Sequence, residues 1–128
     1  MASNLEVDSI SKGVTTVNTD EIVDTSSNQI CKAWVNFNGT GTVAIRDSFN
    51  VSSITDNGTG NYTVNLSNAL ANSNAVSVAG GARYSGGGDP QVSQGNYVSG
   101  TSTVLVTTSN TAGSASDHVY IGIAVFGD

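Results

Sequence analysis

One cysteine, one proline, one histidine and one tryptophan are spread over 128 residues, and only 11% of the chain is charged. A lone Cys31 has no intrachain partner, so no disulfide framework can hold this fold. One Cys and one His cannot close a zinc site within a single chain. Lysine and arginine number four against ten acidic residues, a net charge of −6. That balance excludes the phosphate-neutralising surface of a nucleic-acid binder and the polybasic patch of a protein held on a membrane. No run of about 18 apolar residues occurs, so no segment reads as a spanning helix. The start, MASNLEVDSISKG, carries Glu6 and Asp8 in place of an apolar stretch and does not read as a signal peptide. Aromatic residues make up 6% of the chain. Any core must therefore come mainly from Val, Ile, Leu and Ala.

What is plentiful is Ser, Thr, Asn and Gly, interleaved with β-branched residues. At this length a single domain is expected, burying roughly two-thirds of its unfolded surface without covalent staples. The triplets N-x-S/T at Asn38, Asn50, Asn57, Asn61 and Asn65 read as turn and strand chemistry in a chain with no secretion signal.

Residues 1–29 are polar, with apolar residues only in pairs such as Leu5/Val7, Val14/Val17 and Ile22/Val23. None recurs at helical spacing. The expectation is an extended N-terminal arm whose short pieces gain order by lying on another surface. From Ile30 a module over 30–128 begins. Ala33, Val35 and Phe37 fall on one face of a strand, with Lys32, Trp34 and Asn36 on the other. Asn38-Gly39 supplies a turn. The run TVAIRDSFNV reads as one strand, with Val43, Ile45, Asp47, Phe49 and Val51 on one face. Asp56-Asn57-Gly58 is a hairpin turn, after which Tyr62, Val64 and Leu66 share a face. A single helical turn fits Leu66–Ala71. Val76 and Val78 belong to a further strand. Gly80–Tyr97, with Gly86-Gly87-Gly88 and the only proline, reads as a long loop or two short strands. Thr103–Thr107 and Val119–Phe126 close the sheet. In the last, Ile121, Ile123 and Val125 alternate with Tyr120, Gly122, Ala124 and Phe126, so both faces are apolar, as in a strand buried on two sides or at a subunit interface. Many short strands, Gly/Asn turns and no long helix give an all-β fold. Its expected form is an antiparallel β-sandwich or jelly-roll-like module.

Chemistry-bearing constellations are scarce. His118 follows Ser116 and Asp117 directly, which is not the geometry of a catalytic triad, and no G-x-S-x-G elbow occurs. It reads as a polar residue before the last strand; three copies around a symmetry axis could bind a metal. Asp20, Glu21 and Asp24 lie in the arm, Asp47 on a strand and Asp56 in a turn, so no carboxylate pair is framed for hydrolysis. Gly39-Thr40-Gly41 and Gly58-Thr59-Gly60 lack the third glycine and the helix of a phosphate cradle. No enzyme, no metal and no cofactor is expected. Trp34, Phe37, Ile45, Phe49, Tyr62, Ile121, Ile123 and Val125 are the candidate core or trimer-interface residues. Tyr84 and Tyr97, flanking the triple-glycine loop, are the candidates for an external contact.

The stretch Ala33–Val64, AWVNFNGTGTVAIRDSFNVSSITDNGTGNYTV, resembles a segment that recurs in tail-fibre-like proteins of tailed bacteriophages, marine ones among them. The ending HVYIGIAVFGD, His118–Asp128, is similar to the apolar closing strand of the same proteins. The resemblance implies a structural protein of the virion surface, assembled in the host cytoplasm, that works as a homotrimer. Its partners would be other virion proteins, either the major capsid protein or tail components, with a host surface glycan or receptor as a further partner. Longer relatives carry these motifs in distal modules, which points to a fibre tip that attaches to the host. A short chain of arm plus one module instead suits a capsid decoration protein that cements the head. Decoration is the first expectation and the fibre tip its alternative.

Overall fold

The computed structural model describes residues 9–12, 15–18, 30–83 and 93–127. Ten strands carry the described chain: β1 (Ser9–Lys12), β2 (Thr15–Asn18), β3 (Cys31–Asn38), β4 (Ala44–Phe49), β5 (Val51–Asp56), β6 (Asn61–Leu66), β7 (Val76–Arg83), β8 (Ser93–Gly100), β9 (Thr103–Ser109) and β10 (Tyr120–Phe126). Every pairing between them is antiparallel. Two four-stranded sheets, ordered β4-β3-β10-β7 and β5-β6-β9-β8, form a β-sandwich. No helix occurs among the described residues.

The inner layer follows from alternation. Ala33, Val35 and Phe37 on β3 and Ile121, Ile123 and Val125 on β10 face Tyr62, Val64 and Leu66 on β6 and Val104 and Val106 on β9; all are buried. At its centre the Phe37 and Tyr62 rings meet edge to face, 5.3 Å apart at an interplanar angle of 73°, the arrangement aromatic quadrupoles favour. Strand β10 lies between β3 and β7, so the apolar closing strand is central in its sheet.

Two departures from simple alternation shape the outside. The run TVAIRDSFNV is not one strand. Asn50 adopts a left-handed conformation (φ 55°), and its side chain ties the corner by accepting from the Asn68 N–H at 2.8 Å and donating to the Lys32 carbonyl at 3.0 Å. Asparagine tolerates this conformation better than most residues. The break sends β4 and β5 into different sheets. Second, a bulge between Asn36 and Phe37 pairs Phe37 with Ile45 but Trp34 with Phe49. One extra residue on β4 reverses which side chains face inward beyond it. Phe49 therefore lies outside, whereas unbroken alternation placed it beside Ile45.

The remaining differences are smaller. Leu66–Ala71 makes no helical turn; Leu70 is buried instead, its N–H donating to the Thr101 carbonyl at 2.8 Å. Over Gly80–Tyr97, where a long loop or two short strands was expected, β7 runs on to Arg83 and β8 begins at Ser93; residues 84–92 lie outside the described residues. Within the expected arm, β1 and β2 pair with each other in a short hairpin, Ser9 opposite Asn18. The Asp56-Asn57-Gly58 turn forms as read, with the Gly58 N–H donating to Asp56 Oδ1 at 2.9 Å.

Candidate functional site

The densest polar cluster lies where Ser116, Asp117 and His118 cross one end of the sandwich. Asp117 Oδ1 accepts from the Tyr62 hydroxyl at 2.6 Å and from the Gly60 N–H at 2.7 Å. The same hydroxyl lies 3.0 Å from the Gly39 carbonyl, while the Gly39 N–H donates to the His118 carbonyl at 2.9 Å. Thr108 Oγ1 donates to the Ser116 carbonyl at 2.7 Å, and Ser116 returns its N–H to the Thr108 carbonyl at 3.1 Å. Gly60 sits at φ 65°, and a Cβ there would run into the Thr108 carbonyl and the Ser116 N–H, so glycine is required for the strap to close.

This cluster binds the turn after β3 in one sheet to the ends of β6 and β9 in the other. Within it Tyr62 is fully buried and His118 is 1% exposed, while Ser116 and Asp117 are half-buried. Burial, then the hydrogen bond and charge of Asp117, hold the Tyr62 phenol well above the ordinary tyrosine range, so its proton stays in place. His118 Nε2 lies 3.2 Å from the Ser109 carbonyl and donates to it, since a carbonyl can only accept. Asp117 serves Tyr62 and Gly60. What the arrangement does is lock two sheets together. With His118 inside its own chain, three copies cannot meet on an axis to hold a metal. Among the described residues no group of three His, Cys, Asp or Glu side chains converges for one. Cys31 is a free thiol.

The eight residues named as core or interface divide. Phe37, Tyr62, Ile121, Ile123 and Val125 are core, and Ile45 packs half-buried against it. Trp34 and Phe49 are outside, 38% and 54% exposed. They are not isolated. Register places Phe49 opposite Trp34, Trp34 opposite Ala124, and Ala124 opposite Val78, one apolar row across all four strands of the β4-β3-β10-β7 sheet. Beside it Phe126 pairs with Val76, which is 62% exposed, and Ile30 stands exposed at the start of β3. Farther along the same face the row gives way to polar side chains. There the Arg46 guanidinium lies 4.3 Å over the Tyr120 ring and donates to Asn36 Oδ1 at 3.5 Å. Val76, Val78, Ala124 and Phe126 carry the patch as much as Trp34 does. Their signal in the sequence was the outward phase of the two-sided closing strand.

The outer face of the other sheet is of another kind. Thr55, Thr63, Asn65, Thr103 and Thr107 cover it, and the Asn65 carboxamide donates to Ser53 Oγ at 3.1 Å and Thr55 Oγ1 at 2.9 Å. Tyr97 stands on this face, 59% exposed, opposite Leu105. It is on strand β8, not in the loop where the sequence suggested it. Tyr84 lies outside the described residues. At the β5–β6 hairpin end of this sheet a cleft of about 460 Å³ opens between Thr59, Asn61, Gly95, Thr107 and Gly113.

No helix among the described residues is long and apolar enough to cross a membrane. No family model matches this chain, and no curated protein or solved structure matches it either.

Proposed function

We propose that this chain is a non-enzymatic structural protein of the bacteriophage virion surface, working as a homotrimer, with capsid decoration as its task. The observation that carries the reading is the apolar row Phe49–Trp34–Ala124–Val78 with Phe126 and Val76 beside it. Burying one such large side chain is worth about 1.5–3 kcal/mol. Five residues of this kind with Ala124 among them, side by side on one sheet face, form a patch that soluble single chains rarely leave uncovered. The occupant we commit to is the same face of two further copies. Arg46 and Asp47 lie toward the polar end of that face, where Arg46 is engaged by Tyr120 and Asn36. Close approach of like copies buries the row and leaves Arg46 paired within its own chain. The Tyr62–Asp117–His118 cluster supports the non-enzymatic part, because its polar groups are taken up in hydrogen bonds that join the two sheets.

In this reading the trimer seats on the major capsid protein, with residues 1–29 contributing the grip. A tail-fibre tip mediating host attachment is the second reading, favoured by the wording of Ala33–Val64. Sedimentation at micromolar concentration is expected to give about 39 kDa, three chains of 12.9 kDa. A stable folded monomer would refute the trimer. Incubation with expanded empty heads and with host cells then separates the placements: decoration requires saturable binding to heads, and binding to cells alone transfers the protein to the fibre.

A further inference from the structure

We infer that Asn57, at the tip of the β5–β6 hairpin, is a site of spontaneous covalent modification. Its carboxamide closes onto the Gly58 backbone nitrogen to form a succinimide, which water opens to an aspartyl or isoaspartyl residue. The site stands apart from the docking role, which uses the outer face of the other sheet.

Asn-Gly occurs twice in the chain, both times opening the same four residues, Asn38-Gly39-Thr40-Gly41 and Asn57-Gly58-Thr59-Gly60. Ring closure requires the asparagine side-chain carbon to reach the next backbone nitrogen, and glycine, having no Cβ, hinders this least. Local sequence therefore gives the two sites the same reactivity. The fold separates them. Gly39 is buried, its N–H donates to the His118 carbonyl at 2.9 Å, and a Cβ on it would run into the Tyr62 ring. The Asn38 carboxamide is fixed at both ends, Nδ2 donating to the Thr40 carbonyl at 2.7 Å and Oδ1 accepting from the Thr40 hydroxyl at 2.9 Å. To react, this nitrogen would have to leave the strap that joins the two sheets.

Asn57-Gly58 is open. Both residues are exposed, and among the described residues nothing lies within 4 Å of the place a Gly58 Cβ would take. The Asn57 carboxamide donates to Thr63 Oγ1 at 2.9 Å, and the Gly58 N–H donates to Asp56 Oδ1 at 2.9 Å. Both bonds are at the surface, where water replaces them at little net cost. Opening an exposed hairpin tip costs far less than opening a buried strap. In the reaction the Gly58 nitrogen loses its proton and bonds to Asn57 Cγ. The Cγ–Nδ2 bond breaks, and Nδ2 leaves as ammonia with a proton returned through water. Water then adds to one ring carbonyl. Opening at Cγ gives aspartate; opening at the backbone carbonyl gives isoaspartate, with the chain running through Cβ. No oxidant or reductant takes part. Each product carries a carboxylate in place of the neutral amide, beside Asp56.

The test is incubation of the full chain in warm, mildly alkaline buffer, with a parallel sample unfolded in guanidinium chloride, followed by trypsin digestion and mass spectrometry. Cleavage after Lys32, Arg46 and Arg83 places Asn38 in the peptide 33–46 and Asn57 in the peptide 47–83. In the folded chain Asn57 should convert at least about tenfold faster than Asn38, which corresponds to about 1.4 kcal/mol of extra opening at the buried site. In guanidinium the two should convert within about threefold of each other, since the fold no longer distinguishes them. Anion exchange should resolve the converted chain as a more acidic species, and Asn57→Gln, whose longer side chain closes a less favourable ring, should suppress it. Equal conversion of the two sites in the folded chain overturns the inference. So does conversion of both in guanidinium with none at Asn57 in the folded chain, or an acidic species that forms as fast in Asn57→Gln.

Discussion

The two sheets share one interior and differ entirely outside. Their inner faces carry the same kinds of residue, Val35, Phe37, Ile121 and Ile123 on one and Tyr62, Val64, Val104 and Val106 on the other, all buried. Outside, one sheet presents Phe49, Trp34, Ala124 and Val78 in a row, and the other presents mainly threonine, serine and asparagine, several joined by their own hydrogen bonds, around the single pair Tyr97–Leu105. An inner-face residue is explained by folding, because the opposite sheet covers it. An outer-face residue is not, since the sandwich closes without it. Water is the natural neighbour of the hydroxyl-covered face, and another protein surface is the natural neighbour of the apolar one. The contrast separates residues that make the fold from residues that use it.

The largest effect is expected where the sheets meet. Ile123→Asp should abolish folding, because an unpaired carboxylate would be buried at a cost of about 3–5 kcal/mol or more, comparable with the whole stability of a small domain. Circular dichroism of the variant should show a lost cooperative transition. A folded variant with an unchanged melting temperature would mean that Ile123 is not inside. The contrast itself is tested next. Trp34→Asp combined with Phe49→Asp should leave the melting transition in place and reduce the sedimenting species to one chain of 12.9 kDa, whereas Thr63→Asp on the other face should change neither. Equal behaviour of the two faces would remove the distinction between them.

A smaller effect belongs to the strap that locks the sheets. Tyr62→Phe removes the donor to Asp117 and Gly39 and should cost about 1–3 kcal/mol in urea titrations at neutral pH. Its pH signature is specific. The folded chain holds the Tyr62 proton more tightly than the unfolded chain, whose tyrosines titrate near pH 10. Stability from this group is therefore fully present below that pH and falls as pH rises above it, because only the unfolded state releases the proton. The natural chain should show this alkaline loss and Tyr62→Phe should show less of it. Identical slopes would mean that the phenol is not held as described. The smallest effect is expected on the polar face: Ser53→Ala removes one exposed acceptor of Asn65 and should shift stability by less than about 0.5 kcal/mol.

Much of the inner layer was legible before any coordinates. Ala33/Val35/Phe37, Tyr62/Val64/Leu66 and Ile121/Ile123/Val125 alternate at the period of a strand, and each set is buried as that period requires. Turn chemistry was equally local: Asp56-Asn57-Gly58 closes the β5–β6 hairpin through its own side chain. The outer patch was half legible. Trp34 and Phe49 stood out as large and apolar, but alternation assigned Phe49 to the wrong side. The bulge opposite Phe37 depends on how β3 and β4 dock, and no composition marks it. The same holds for Asn50. Its tolerance of a left-handed backbone is local, but that it divides two sheets is not.

What the sequence determined by itself was whatever depends on near neighbours: strand periodicity, turn positions, the inward phase of three strands and the scarcity of charge. Only the tertiary structure decided which strands became neighbours. Asp117 and Tyr62 are 55 residues apart and meet at 2.6 Å, and Phe49, Trp34, Ala124 and Val78 join one row from four separate strands. Contacts of that range are set by sheet order and register, which a single bulge can shift by one residue. A strand shifted by one residue presents its other face, so the outside of this protein is fixed by its pairings more than by its words.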